Sequence, residues 1–343
     1  MTAPPSALAG RIQVDRLDSV LLRGNPLGDP SERELWIYLP PGYDQDPHRR
    51  YPVVHVLSGF AGTVPMWGNT VPFGRTFPEQ VDGVMAGAPE TACIVVFVDG
   101  WNRYGGSQYV DSTASGPYHS YLCEEVVAHV DRTYRTLAAR DHRAIMGKSS
   151  GGFGALVAVM LRPDLFGAAA SHAGDALYEH VYLPEFRNAL RALRRYGGST
   201  EAWTEGFTTR PGSEPEDLSV LVLLAMAAAF SPDADGRPTL PFDPATGMLR
   251  PDVWQRWLDW DPVRMAARHA DVWPRLRGLW IDAGTRDEYY LDLGAAALRH
   301  SVLKAGLPPE AMRFDLVEGA DHDTIRGRMV RSLAWLAGRI AER

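Results

Sequence analysis

Gly147-Lys148-Ser149-Ser150-Gly151 is the run of this 343-residue chain in which residue type and spacing could do the most chemistry. It fits two patterns. Gly-Lys-Ser resembles the end of a phosphate-binding loop, and G-x-S-x-G is the tight turn that presents a nucleophilic serine. A phosphate loop needs glycine five positions before Gly147, where His142 stands. Arg143 to Met146 also reads as a buried strand rather than a flexible cradle. A dinucleotide fingerprint fails as well, since Val157 occupies the place of its third glycine. The serine turn remains. Small residues must flank a nucleophile held on a sharp strand-to-helix turn, and Gly147 and Gly151 are those flanks. Ser149 is therefore the expected nucleophile, at a helix N-terminus whose N–H groups favour developing negative charge.

A serine nucleophile needs a base, and in a turn of this kind the partners follow in the order serine, acid, histidine. His300 lies within a helical stretch, "GAAALRHSVLKAG", and suits packing or the surface. His322, in "VEGADHDTIRG", falls between the last strand and the last helix, where its ring can reach the serine. His322 is the expected base. The acid belongs after the penultimate strand, where "WIDAGTRDEYY" offers Asp282, Asp287 and Glu288. Asp282 is still at the strand edge, whereas Asp287 lies past the turn and can fix the histidine tautomer. Asp287 is preferred and Glu288 is its competitor. Asp321 and Asp323 suit turn formation and helix capping. An oxyanion hole would draw on the Ser150 amide and on the glycine-rich loop "LSGFAGT", with the Phe60 amide first and Ala61 next. Trp67, Trp101 and Tyr109 are candidates for an apolar pocket wall or for plain packing.

The elements that must position these groups alternate. Glu34–Tyr43, Tyr51–Phe60, Ala92–Gly100, His142–Ser149, Gly278–Gly284 and Met312–Gly319 read as strands, several of them continuous apolar runs. Tyr118–Thr136 and Gly151–Phe166 have helical spacing. Strands alternating with helices predict an α/β fold with a mostly parallel central sheet covered on both faces. From about Tyr178 to Val272 the alternation stops. This stretch carries Trp203, Trp254, Trp257 and Trp260 and is expected to be a helical lid or cap inserted into a single domain. Its apolar run Val220–Phe230 suits a buried lid helix or plain core equally, and is too short to cross a bilayer.

Composition narrows the partners. A net charge of −7 disfavours nucleic acid and anionic membranes, and 45% hydrophobic residues allow a sizeable core. The start, "MTAPPSALAG", lacks the basic and apolar regions of a secretory signal. Cys93 and Cys123 make no framework or metal spacing and are expected to be reduced, buried thiols. A cytoplasmic protein is expected, with a small-molecule ester as its partner, no metal or cofactor, and self-association left open.

Together, Tyr51–Thr136, "GKSSGGFGAL", "WIDAGTRDEYYLDLG" and "EGADH" resemble the esterase family of α/β hydrolases. That family includes enterochelin-esterase-like proteins, S-formylglutathione hydrolases and mycolyltransferases. The resemblance runs from about Glu34 to Leu336 and implies an α/β-hydrolase fold with Ser149, Asp287 and His322 as the triad. "LSGF" is similar to the oxyanion loop of the S-formylglutathione hydrolases, which implies Phe60. Lys148 and Ser150 stand where those enzymes usually have histidine and methionine. The expected activity is hydrolysis of small to medium apolar carboxylic esters through an acyl-enzyme. Acyl transfer to an alcohol and thioester hydrolysis are the alternatives on the same triad, and a non-catalytic binding protein is the competing class.

Overall fold

The computed structural model describes residues 8–70, 72–209, 214 and 216–341. Its main sheet has eight strands in the spatial order β1-β2-β4-β3-β7-β8-β9-β10. Six of them, β4 (Ile94–Val98), β3 (Val53–Leu57), β7 (Arg143–Lys148), β8 (Ala168–His172), β9 (Gly278–Gly284) and β10 (Met312–Val317), run parallel. β1 (Arg11–Asp18) and β2 (Glu32–Leu39) add an antiparallel edge. A short ribbon, β5 (Asp111–Ser112) with β6 (Gly116–Pro117), stands apart.

Every residue of β3, β4 and β8 is buried, as a parallel sheet sandwiched by helices requires. On one face α1 (Phe77–Gly87) packs against α12 (Ile325–Ile340), and the other is covered by α4 (Ser150–Leu161), α10 (Pro262–Arg268) and α11 (Leu291–Lys304). The helix expected over Tyr118–Thr136 is α2 (Tyr118–Ser120), a π-helical turn over Tyr121–Val126, and α3 (Val127–Thr133).

Between β8 and β9 come α5 (Tyr178–Val181), α6 (Leu183–Arg194), α7 (Thr200–Thr209), α8 (Asp217–Phe230), α9 (Pro251–Leu258) and α10. An aromatic cluster knits them together: the Phe230 ring stacks on Tyr178 at 5.7 Å and meets Trp257 at 5.9 Å. Helix α8, which contains the apolar run Val220–Phe230, is buried over nearly its whole C-terminal half. It still gives Leu218, Val222 and Met226 to a cavity wall, so one helix is both core and boundary. No helix among the described residues is long and apolar enough to cross a membrane.

Candidate active site

Ser149 sits between β7 and α4 with φ 53° and ψ −126°, outside the regions that a side-chain-bearing residue normally adopts. Such strain persists only where the surroundings impose it. Here the Ser149 amide donates to the His172 carbonyl at 2.9 Å, and its carbonyl accepts from the Phe153 amide at 3.0 Å. The turn is so tight that a Cβ on Gly147 would lie 2.3 Å from the Gly151 carbonyl oxygen. One on Gly151 would lie 2.5 Å from the Leu57 carbonyl oxygen. No larger residue fits at either flank.

The acid and histidine loops are held edge to edge. Thr285 N–H donates to the Val317 carbonyl at 3.0 Å, and Arg286 N–H donates to the Ala320 carbonyl at 2.9 Å. Gly284 makes this approach feasible, since a Cβ there would sit 2.2 Å from the Ala320 carbonyl oxygen. In this clamp His322 Nδ1 lies 2.8 Å from Asp287 Oδ2. Asp287 is 5% exposed, and its Oδ1 accepts from the Tyr289 amide at 3.0 Å. Glu288 instead takes the His322 backbone N–H at 3.1 Å. The Tyr289 ring stands edge-on to the imidazole at 5.1 Å, limiting its rotation. Asp321 accepts from the Thr324 amide at 3.1 Å, a turn at the head of α12.

Ser149 and His322 line one cavity of about 320 Å³ at the carboxyl ends of the parallel strands, where open α/β sheets place their ligands. The loop after β3 forms another wall with Gly59, Phe60, Ala61 and Gly62. A Cβ on Gly59 would meet Ser149 Cβ at 3.3 Å, so the loop lies directly against Ser149. The Ala61 N–H is occupied by the Gly105 carbonyl at 2.7 Å. No described residue accepts from the Phe60 amide. Ser150 begins α4 and also lines the cavity, and its hydroxyl accepts from Gln108 Nε2 at 2.9 Å.

Trp67 is the one member of the expected aromatic trio on the cavity wall, fixed by a hydrogen bond to Ser58 Oγ at 3.1 Å. Tyr109 is corrected to a core residue: it is 3% exposed, fills the space left by Gly154, and donates to the Ser58 carbonyl at 2.9 Å. Trp101 also lies off the cavity, its carbonyl accepting from Arg33 and Tyr118. Loop position alone did not separate these rings, because residues 106–110 are buried and carry the Tyr109 ring into the core, whereas Trp101 is only half-buried at the start of the loop. His300 is exposed on α11.

Asp282 belongs to a second constellation. Its carboxylate bonds His172 Nδ1 at 2.8 Å and Arg328 Nε at 2.9 Å, while His172 Nε2 lies 2.8 Å from Ser332 Oγ. Serine, histidine and aspartate are thus lined up again, but all three are at most 1% exposed. This network ties β8 and β9 to α12 and cannot meet a substrate.

Sequence reasoning missed Asp175. It follows β8, whose "AAASH" lacks the β-branched residues that mark a strand, so its place at the strand's carboxyl edge went unseen. Asp175 lines the cavity, and burial lifts its carboxyl to about 6 against the opposing pull of the Tyr182 hydrogen bond. Lys148 and Arg326 face the same cavity. Burial, then the nearby Arg326 guanidinium, push the Lys148 ammonium below its ordinary range, with Asp323 acting in the other direction.

A mostly parallel sheet with an antiparallel edge, a strained serine elbow and a late histidine on a buried aspartate define the α/β-hydrolase class. Solved structures share this fold along the full chain. A ferulic acid esterase superposes with a TM-score of 0.62 at 18% identity, over 97% of this chain and 100% of that one. An S-formylglutathione hydrolase from Agrobacterium tumefaciens gives 0.58 at 18% identity, over 99% and 100%. The chain belongs to the Esterase family, described as "Putative esterase", which matches residues 30–323. Among curated relatives, esterase Rv1288 of Mycobacterium tuberculosis is 30% identical over 157 residues, 44% of this chain and 32% of that protein. An uncharacterized protein of Corynebacterium glutamicum is 27% identical over 203 residues, 58% of this chain and 43% of its own. The chain therefore spans less than half the length of these relatives.

Proposed function

We propose that this chain is a serine carboxylesterase, and the observation that carries the proposal is the 2.8 Å pairing of His322 with buried Asp287 in the cavity that Ser149 enters from its strained elbow. Ser149 Oγ attacks the ester carbonyl while His322 Nε2 removes its proton. Asp287 holds Nδ1–H and stabilises the imidazolium. The Phe60 and Ser150 amides take the charge that develops on the carbonyl oxygen. His322 returns the proton to the departing alcohol, and water then releases the acid from the acyl-enzyme through the same steps.

Val181, Leu218, Val222, Met226 and Leu291 wall the cavity together with Trp67, which suits a small to medium apolar body for the substrate. Names among the similar proteins support ester chemistry: a ferulic acid esterase, an S-formylglutathione hydrolase and a mycobacterial esterase. The two unpaired, buried cysteines suit a reducing compartment such as the cytoplasm.

The test is fluorophosphonate labelling with hydrolysis of a p-nitrophenyl ester series. Ser149→Ala is expected to abolish labelling and to lower turnover on the order of 10⁴- to 10⁶-fold. A variant that keeps most of the wild-type rate overturns the assignment.

A further inference from the structure

Asp175 has no role in the triad, yet the fold buries it in the same cavity. It is 6% exposed, and among the described residues it forms no ion pair. Both of its internal donors converge on one oxygen: Tyr182 O–H at 2.9 Å and Ser150 O–H at 3.4 Å reach Oδ2. No described residue donates to Oδ1, and the carboxylate lines the cavity. Oδ1 is thus left to the cavity, and a substrate that displaces solvent there leaves it unsatisfied unless the substrate itself donates. Such groups gather at functional sites.

The neighbours hold the open oxygen in place. Tyr182 is 2% exposed and packs edge-on against Tyr178 at 4.7 Å and Trp257 at 5.5 Å, so its hydroxyl is fixed by the aromatic cluster. Gln108 donates to the Ser150 hydroxyl, which leaves that hydroxyl's own proton for Asp175. Burial lifts the carboxyl to about 6, so in neutral solution the group is chiefly an acceptor. His322, the base whose charge Asp175 feels, is already bonded to Asp287. The remaining partner is the substrate.

We propose that Asp175 Oδ1 accepts a hydrogen bond from a hydroxyl or ammonium group of the substrate, so that the preferred ester has an apolar body and one such donor. This rests on the serine-esterase reading of the same cavity and adds a specificity-determining residue to it. A site built to satisfy a polar group rejects the analogue that lacks it, because its own buried group is then left unpaired.

The experiment uses matched esters. In the acyl arm, p-nitrophenyl butyrate is compared with its 3-hydroxybutyrate and 3-aminobutyrate counterparts; in the alcohol arm, ethyl butyrate is compared with 2-hydroxyethyl butyrate. Wild type is expected to favour the donor-bearing member of at least one pair by about tenfold or more in kcat/KM. Asp175→Ala should bring that ratio near unity. Asp175→Asn, which keeps the shape and a neutral acceptor, should lose an ammonium preference and retain part of a hydroxyl preference. Fluorophosphonate labelling is followed in every sample. Wild type that does not label removes the esterase reading itself. Wild type that labels but shows no preference in any pair overturns the role of Asp175, as does a labelled Asp175→Ala that keeps the wild-type ratio. An absent wild-type preference overturns the proposal even if a variant fails to fold.

Discussion

His322 is held by two neighbouring carboxylates in two different ways: Asp287 Oδ2 meets its ring nitrogen at 2.8 Å, while Glu288 Oε2 accepts its backbone N–H at 3.1 Å. One bond orients the imidazole and fixes its tautomer. The other sets only where the loop lies.

Neutralising these two acids should therefore have unequal effects. Asp287→Asn presents an amide to Nδ1 and favours the wrong tautomer, with an expected loss of about 10⁴ in kcat. Glu288→Gln keeps an acceptor for the backbone N–H and should cost less than about tenfold. Steady-state kinetics on one chromogenic ester makes the comparison, and the reverse ranking moves the catalytic acid to Glu288.

Asp175 gives a pH dependence of stability opposite to that of a typical carboxylate. Its folded value of about 6 lies above the unfolded value, near 3.9, so the folded state binds the proton more tightly. Its cost is fully present above pH 6 and disappears as pH falls through the unfolded value. A shift of roughly two units corresponds to about 3 kcal/mol at most. Asp175→Asn is expected to raise stability by about 1–3 kcal/mol at pH 7.5, with the advantage gone near pH 4. Denaturant melts at the two pH values check this; a less stable variant at pH 7.5 contradicts it.

Asp282 is expected to behave as a structural residue. Asp282→Ala strands His172 and the Arg328 guanidinium inside the core, and breaking a buried pair in this way costs about 3–5 kcal/mol. Calorimetry should show a markedly lower Tm, while protein kept well below that Tm still labels at Ser149. Folded protein that no longer labels would give Asp282 a part in the site.

Ser149 and His322 were legible as residues of one cavity because geometry leaves their neighbours little choice. Gly147 and Gly151 are too crowded for a Cβ, and His322 follows the last parallel strand. The same logic reached Asp287 through the turn after β9, although sequence alone kept Glu288 beside it. Two strands of the main sheet were not legible. β1 is an edge strand exposed along most of its length, and β8 is built largely of alanines, with Ser171 the β8 side chain that Gly152 and Gly174 approach. With β8 unseen, Asp175 had no assigned position. Tyr109 left the cavity wall for another reason: a loop at the correct edge of the sheet can still point a ring into the core, and the backbone at Gln108 and Tyr109, with φ of 55° and 53°, does this for Tyr109, while Trp101 simply lies off the cavity.

The buried line of Ser332, His172 and Asp282 bears on how relatives of this chain should be aligned. Selection for stability would preserve these three columns, just as selection for turnover, under the proposed serine-esterase mechanism, would preserve Ser149, Asp287 and His322. An alignment scored by invariance alone would return two serine–histidine–aspartate sets with equal weight. Solvent access breaks the tie. A homologue that replaces the inner set with well-packed apolar residues would be expected to remain active, whereas one that loses the outer set while keeping the inner would be a well-folded protein without the chemistry.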